Sequence, residues 1–249
     1  MKNGLCHLSA VPLRDAGSDK AEVVSQLLYG DHFEIIEGQK NWSYIKQDFD
    51  GYEGWIDNKQ YVPITKENAD YLSENAFFCS ADLIEFVSTK ENHLIPIHIG
   101  SSLTACKILE HEFDGKNNKD LQGYDNIADI ALLYLNAPYV WGGKNPFGID
   151  CSGYVQIVYK ICGIRIARDS GDQAQQGKSL SFIEECSVGD LAFFDNEEGN
   201  IVHVGILLGN NRIIHAHGHV RIDLIDHQGI FNADRKEYSH NLRLLKTYK

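Results

Sequence analysis

A chain of 249 residues, 43% apolar and 23% charged, has the makeup of a globular protein with room for two domains or one domain with appended modules. Its 35 acidic residues against 23 basic ones leave a net charge of -12, which argues against nucleic acid or another polyanion as partner and favours a small or cationic ligand. No run of about 18 apolar residues occurs, so no membrane partner is expected. The start, MKNGLCHLSAVPLRDAG, meets Pro12 and charges too early for a secretory leader. A cytoplasmic monomer is the expectation, or a periplasmic or exported protein had a leader been removed.

In chain order, VVSQLLYGD, HFEIIEGQKNW and SYIKQDFDGYEGWIDNKQYVPI are short strand-like runs broken by Gly-Asp, Asp-Gly and Asn-Lys, which predicts a small β-barrel or meander over 1–65. YGD, Trp42 and GYEGWI resemble the bacterial SH3-like domain. Over 66–118 the pattern is weaker, with AFFCSADLIEFV and HLIPIHIG as strands of a second, degenerate barrel. GKNNKDLQGYD reads as a polar linker, and a third domain is expected over 119–249. There DNIADIALLYLNA has close to a 3.6-residue apolar period and predicts a helix over 125–137. PYVWGGKNPFGID is a turn-rich loop, and CSGYVQIVYKICG a second helix ending at Gly163. DLAFFD, VHVGILLG and RIIHAHG read as strands. Helices followed by antiparallel strands make the fold class α+β.

Six cysteines occur without a C-x-x-C pair and read as mostly reduced thiols. Cys151 falls at the first turn of the second helix, where unsatisfied N–H groups and the helix dipole favour a thiolate. A nucleophile there needs a base and a group to orient it. His203 lies in an otherwise apolar strand, and His215 follows twelve residues later across a Gly209-Asn210-Asn211 turn, so an antiparallel pair can set the two side by side. Taken singly, each has an ordinary reading as a core cysteine or a satisfied core histidine. His215, His217 and His219 also suggest zinc with Cys151, but no C-x-x-C or H-x-x-x-H pair completes a usual site.

PYVWGGKNPFGIDCSGYVQIVY, RIARDSGDQAQQGKSL, SVGDLAFFD and VHVGILLGNNRIIHA, in this order, resemble the NlpC/p60 cysteine peptidases over about 124–249. The resemblance implies a papain-like α+β catalytic domain that cleaves bacterial cell-wall peptides, with Cys151 as nucleophile, His203 as general base, His215 as orienting residue and Tyr139 supporting the oxyanion. It implies no metal or organic cofactor.

With the SH3-like front, the ARDSG element resembles the subgroup of γ-D-glutamyl-L-diamino-acid endopeptidases, which require a free N-terminal L-Ala on a murein peptide. For that ammonium the candidates are Asp169 and Glu53, with Tyr61 or Tyr71 as a barrel partner. Ser152 and Ser170 are candidates for the D-Glu carboxylate, with Arg168 weaker; Asp150 joins the substrate-binding set, and Trp141 is a candidate apolar wall. The alternatives are an exported hydrolase of intact wall and a non-catalytic wall-binding protein.

Overall fold

The computed structural model describes residues 2–249. In chain order its elements are β1 (Lys2–Leu5), β2 (Ala10–Arg14), β3 (Val23–Leu28), β4 (His32–Gly38), β5 (Trp42–Gln47), β6 (Glu53–Asp57), β7 (Val62–Ile64), α1 (Lys66–Glu74), β8 (Ile84–Ser88), β9 (Leu94–His98) and α2 (Ala105–Leu109). There follow α3 (Ile127–Leu132), β10 (Lys144–Asn145), β11 (Gly148–Ile149), α4 (Cys151–Ile161), α5 (Ser170–Gln175), β12 (Lys178–Leu180), β13 (Leu191–Asp195), β14 (Ile201–Gly209), β15 (Arg212–His217), β16 (His219–Ile225), β17 (Gly229–Asn232) and β18 (Glu237–Thr247). The chain divides into two compact units, one of residues 1–122 with 141–146, the other of 123–140 with 147–249.

The first unit carries a seven-stranded sheet in the order β3-β2-β6-β5-β4-β1-β7. Alternating apolar residues, among them Val11, Leu13, Leu27, Phe33, Ile45 and Ile56, turn inward into one core. In place of the second barrel expected over 66–118 the chain forms a helix, one two-stranded hairpin and a short helix. Thr65 caps α1 by accepting a hydrogen bond from the Asn68 N–H at 3.2 Å, and Ala69 and Leu72, three residues apart, turn the buried face inward. Hairpin β8–β9 contributes Val87 and Ile97 to a shared core with Leu72 and Leu103, so 66–118 is an extension of the first unit rather than a domain.

Residues 141–146 also belong to the first unit. The Trp141 indole N–H donates to Glu22 at 2.6 Å, and the Lys144 N–H and the Asn145 amide both donate to the Gln26 side-chain oxygen, at 2.8 and 2.9 Å. Gly142 meets β3 so closely that a Cβ there would stand 2.3 Å from the Val23 carbonyl oxygen.

The second unit combines α3, α4 and α5 with a sheet ordered β12-β18-β13-β14-β15-β16-β17. β18 pairs with both β13 and β17, so β13–β18 close into a small barrel. Its eleven residues reach both neighbours through bulges at Phe193/Phe194 and Ile230/Phe231. Helix α4 is buried along its whole length and ends at Gly163, as its sequence implies. The helix expected over 125–137 is shorter. α3 gives way to successive turns through Leu135, and Asn136 takes a left-handed backbone.

Candidate active site

Helix α4 begins at Cys151 because Asp150 caps it, its carboxylate accepting a hydrogen bond from the Gly153 N–H at 2.7 Å. The cap is held in turn by Arg168, whose guanidinium reaches both Asp150 oxygens at 2.5 and 3.0 Å and the Ser152 hydroxyl at 2.9 Å. All three side chains are buried. The Gln173 amide of α5 donates to the Ser152 carbonyl at 3.0 Å and the Ala167 carbonyl at 2.8 Å, tying this network to the second turn-forming segment. Asp150 and Ser152, expected to contact substrate, also hold the frame of the nucleophile helix. Arg168, expected to donate to a ligand carboxylate, is the buried counter-ion of Asp150 and a donor to the Ser152 hydroxyl.

The Cys151 thiol sits against β14. Backbone N–H groups of Val204 and Ser152 point at its sulfur, and Val204 is the residue after His203. Burial, followed by the Asp150 charge, pushes the thiol up to about 12 against the pull of those N–H groups and Arg168. Tyr139 lies close enough to feel the Cys151 and Asp150 charges, which add to burial in raising its phenol to about 12. The phenol is thus a neutral donor, the form that stabilises an oxyanion.

His203 and His215 come together as their spacing predicts, Nε2 to Nδ1 at 2.8 Å. They are not directly opposite. The β14–β15 register places Gly205 against His215, where an added Cβ would stand 2.9 Å from the His215 Cβ. The glycine in HVG is the signal in the sequence for that approach. With Nε2 of His203 engaged by His215, Nδ1 is the ring nitrogen outside that bond. Burial holds His203 well below its usual range, aided by the neighbouring histidines. His215 is also lowered by burial, with Asp223 opposing the shift.

Two further histidine and carboxylate neighbours were missed. Asp223 on β16 accepts from His215 Nε2 at 3.0 Å and from Arg221 at 2.7 and 2.8 Å. His240 on β18 stacks on His203 with ring centroids 4.2 Å apart and planes inclined by 23°. Ring nitrogens of His203, His215 and His240 lie within 4.8 Å of one another. Imidazole lone pairs lie in the ring plane, so the stacked pair directs them side by side instead of converging on an ion, and His203–His215 share a proton; this is a hydrogen-bonded cluster rather than a formed tetrahedral metal site. His217 and His219, the remaining zinc candidates, are exposed at the Gly218 turn.

Asp169 and Ser170 start α5, with Asp169 exposed. Trp141 and Glu53 both belong to the first unit. Trp141, the candidate apolar wall, is largely exposed with its N–H given to Glu22. Glu53 accepts from the Tyr44 hydroxyl at 3.1 Å and pairs with Lys46 at 3.3 Å. Its tyrosine partner is therefore Tyr44; Tyr61 bonds Ser43 at 3.0 Å and Tyr71 lies under Lys107.

Comparison with known proteins agrees with this geometry. The NlpC/P60 family model matches residues 136–236, and that of the bacterial dipeptidyl-peptidase Sh3 domain matches 13–60. Dipeptidyl-peptidase 6 of Lysinibacillus sphaericus is 30% identical over 249 aligned positions, covering 84% of this chain and 86% of that protein. The chain belongs to the NlpC/P60 family. It is similar to the γ-D-glutamyl-L-lysine dipeptidyl-peptidase of Bacillus subtilis strain 168, at 27% identity over 78% of this chain and 72% of that protein. An NlpC/P60 family protein of Bacillus cereus shares the fold across 99% of both chains, with a TM-score of 0.76 at 19% identity. Membership in the NlpC/P60 family makes the chain a peptidase with an SH3-like domain ahead of its α+β catalytic domain.

Proposed function

We propose that this NlpC/P60 peptidase is a cysteine endopeptidase that hydrolyses the γ-D-glutamyl-L-diamino-acid bond of murein peptides bearing a free N-terminal L-Ala, and that it serves recycling of cell-wall peptides in the cytoplasm. The observation that carries the reading is the His203–His215 hydrogen bond at 2.8 Å beside a thiol at the start of a capped helix. The relatives named as γ-D-glutamyl-L-lysine dipeptidyl-peptidase and dipeptidyl-peptidase 6 support the substrate class.

In the reaction, Nδ1 of His203 takes the Cys151 proton as sulfur attacks the γ-glutamyl carbonyl. The Tyr139 hydroxyl and the free backbone N–H at the start of α4 meet the developing oxyanion. The imidazolium then returns its proton to the leaving amine of the diamino acid. Water, deprotonated by His203, releases L-Ala-D-Glu from the thioester and restores the thiol. Transfer from buried thiol to buried imidazole creates two opposite charges where each is disfavoured singly, so attack on a bound carbonyl is the step that draws the proton across.

A free ammonium on the substrate calls for a carboxylate. Asp169, exposed at the start of α5, is the candidate in the catalytic unit. The test is mass-spectrometric digestion of L-Ala-γ-D-Glu-L-Lys beside its N-acetylated form, with Cys151→Ala as control. Lysine released from the free peptide alone supports the reading. Equal cleavage of both favours a hydrolase of intact wall, and cleavage of neither favours a binding protein.

A further inference from the structure

The polar chain behind His203 continues past His215. Asp223 is 7% exposed, and its Oδ2 lies 3.0 Å from His215 Nε2. On the β15–β16 ladder Arg221 stands opposite His215 and Asp223 opposite Ile213, so the carboxylate reaches the imidazole diagonally. Arg221 bonds both Asp223 oxygens, through Nε at 2.7 Å and Nη2 at 2.8 Å, and Nη2 also reaches Asp234 at 3.1 Å. The fork therefore fixes the plane of the carboxylate.

We propose that Asp223, held by Arg221, is a positioning residue that selects the His215 tautomer and so aims the basic nitrogen of His203 at Cys151. This rests on the roles given above to Cys151 and His203. An ionised carboxylate only accepts, so His215 Nε2 must carry the hydrogen. A neutral imidazole has one such hydrogen, which leaves His215 Nδ1 as an acceptor. His203 Nε2, 2.8 Å away, must then be the donor, and its Nδ1 keeps the lone pair that takes the thiol proton. Asp223 stays charged throughout, its carboxyl drawn down to about 2 by His215 and Arg221. When the S–H bond breaks, the proton rests on His203 Nδ1, and the chain of acceptors behind it stabilises the imidazolium. Without Asp223, His215 is free to hold its hydrogen on Nδ1, and His203 is driven to the reverse tautomer with a hydrogen facing sulfur.

Long-range 1H–15N spectra of the unmutated protein read the tautomers directly. Nε2–H on both His203 and His215 is expected, and Nδ1–H on His215 overturns the proposal whether or not any variant folds. The second measurement needs no substrate: the rate of iodoacetamide alkylation at Cys151, located by peptide mass, in Asp223→Asn and Arg221→Gln. By analogy with the Asp of serine-protease triads, but one ring further from the nucleophile, alkylation and kcat should fall about 10–100-fold in Asp223→Asn, with KM within twofold. Arg221→Gln should fall less. Alkylation within threefold of wild type in a folded Asp223→Asn protein overturns the proposal, as does a loss in kcat matched by loss of fold. Because alkylation involves no peptide, a wrong substrate assignment leaves this test intact.

Discussion

Gly205→Ala should separate the role of His215 from that of the fold around it. The added Cβ would stand 2.9 Å from the His215 Cβ and 2.7 Å from Ile213 Cδ1, where ordinary contact begins at 3.4 Å. The Ile213 tip can rotate away. The His215 Cβ moves only with its strand, by about half an ångström, which stretches the 2.8 Å bond to His203 beyond the usual range of roughly 2.7–3.2 Å. Hydrogen bonds to a charged partner contribute about 1.5–3 kcal/mol. Since the imidazolium exists only after thiol deprotonation, kcat should fall by about 10–150-fold with KM little changed. Overpacking should also cost about 1–3 kcal/mol of stability. Steady-state hydrolysis of L-Ala-γ-D-Glu-L-Lys and urea melts measure the two separately. Adding Ile213→Val removes the Cδ1 contact and leaves the γ carbon at 2.9 Å, so it should restore a small part of the stability and little of kcat. Recovery of kcat in step with stability, or a fully active Gly205→Ala protein, would refute the reasoning.

Arg168→Met leaves the Asp150 carboxylate buried without its cation, at a cost of about 3–5 kcal/mol and, for a chain of this size, a Tm lower by roughly 6–20 °C. Asp150→Asn added to it should recover part of that loss, and a single-variant cost below about 1 kcal/mol in calorimetry would sink the assignment. Burial keeps His203, His215 and His240 below the ordinary histidine value of 6.5, His240 at about 4. Because their folded values are depressed, the stability they hold in place is full above about pH 6.5 and is lost as pH falls towards 4. Urea midpoints that stay flat from pH 7 to 4.5 would contradict this. His240→Ala opens the stacked face of His203 to water, so its pKa should rise and the acid limb of Cys151 alkylation move to higher pH; an unmoved limb would mean that His240 does not shield the base.

The pairing of His203 with His215, and the place of Cys151 at a helix start, were legible because each lies in a locally decided element. Asp150 caps a long apolar helix, and VHVGILLG and RIIHAHG can form little but neighbouring strands. Asp223 and His240 were not legible. They reach the site through β16 and β18, whose polar, interrupted sequences take their register from barrel closure rather than from their own pattern. Glu53 shows the same limit at shorter range. Its partner Tyr44 is a matter of the β5–β6 register, which pairs Tyr44 with Trp55 and Lys46 with Glu53. Arg168 was read for its charge, but only the fold shows that the charge is consumed by Asp150. The second barrel failed because its strands were recognised correctly as β8 and β9 while the Thr65-capped helix ahead of them was not.

The six residues Trp141–Pro146 give the chain an uncommon inheritance problem. They leave the catalytic unit just before the nucleophile, bond to Glu22 and Gln26, and return at Phe147. Recombination at a single breakpoint near residue 122 would supply a complete catalytic sequence yet strand this hexapeptide without its docking groove on β3. A gene fusion that gives the same catalytic sequence a different front module must also recreate a close-approach site for Gly142 and acceptors for Trp141, Lys144 and Asn145.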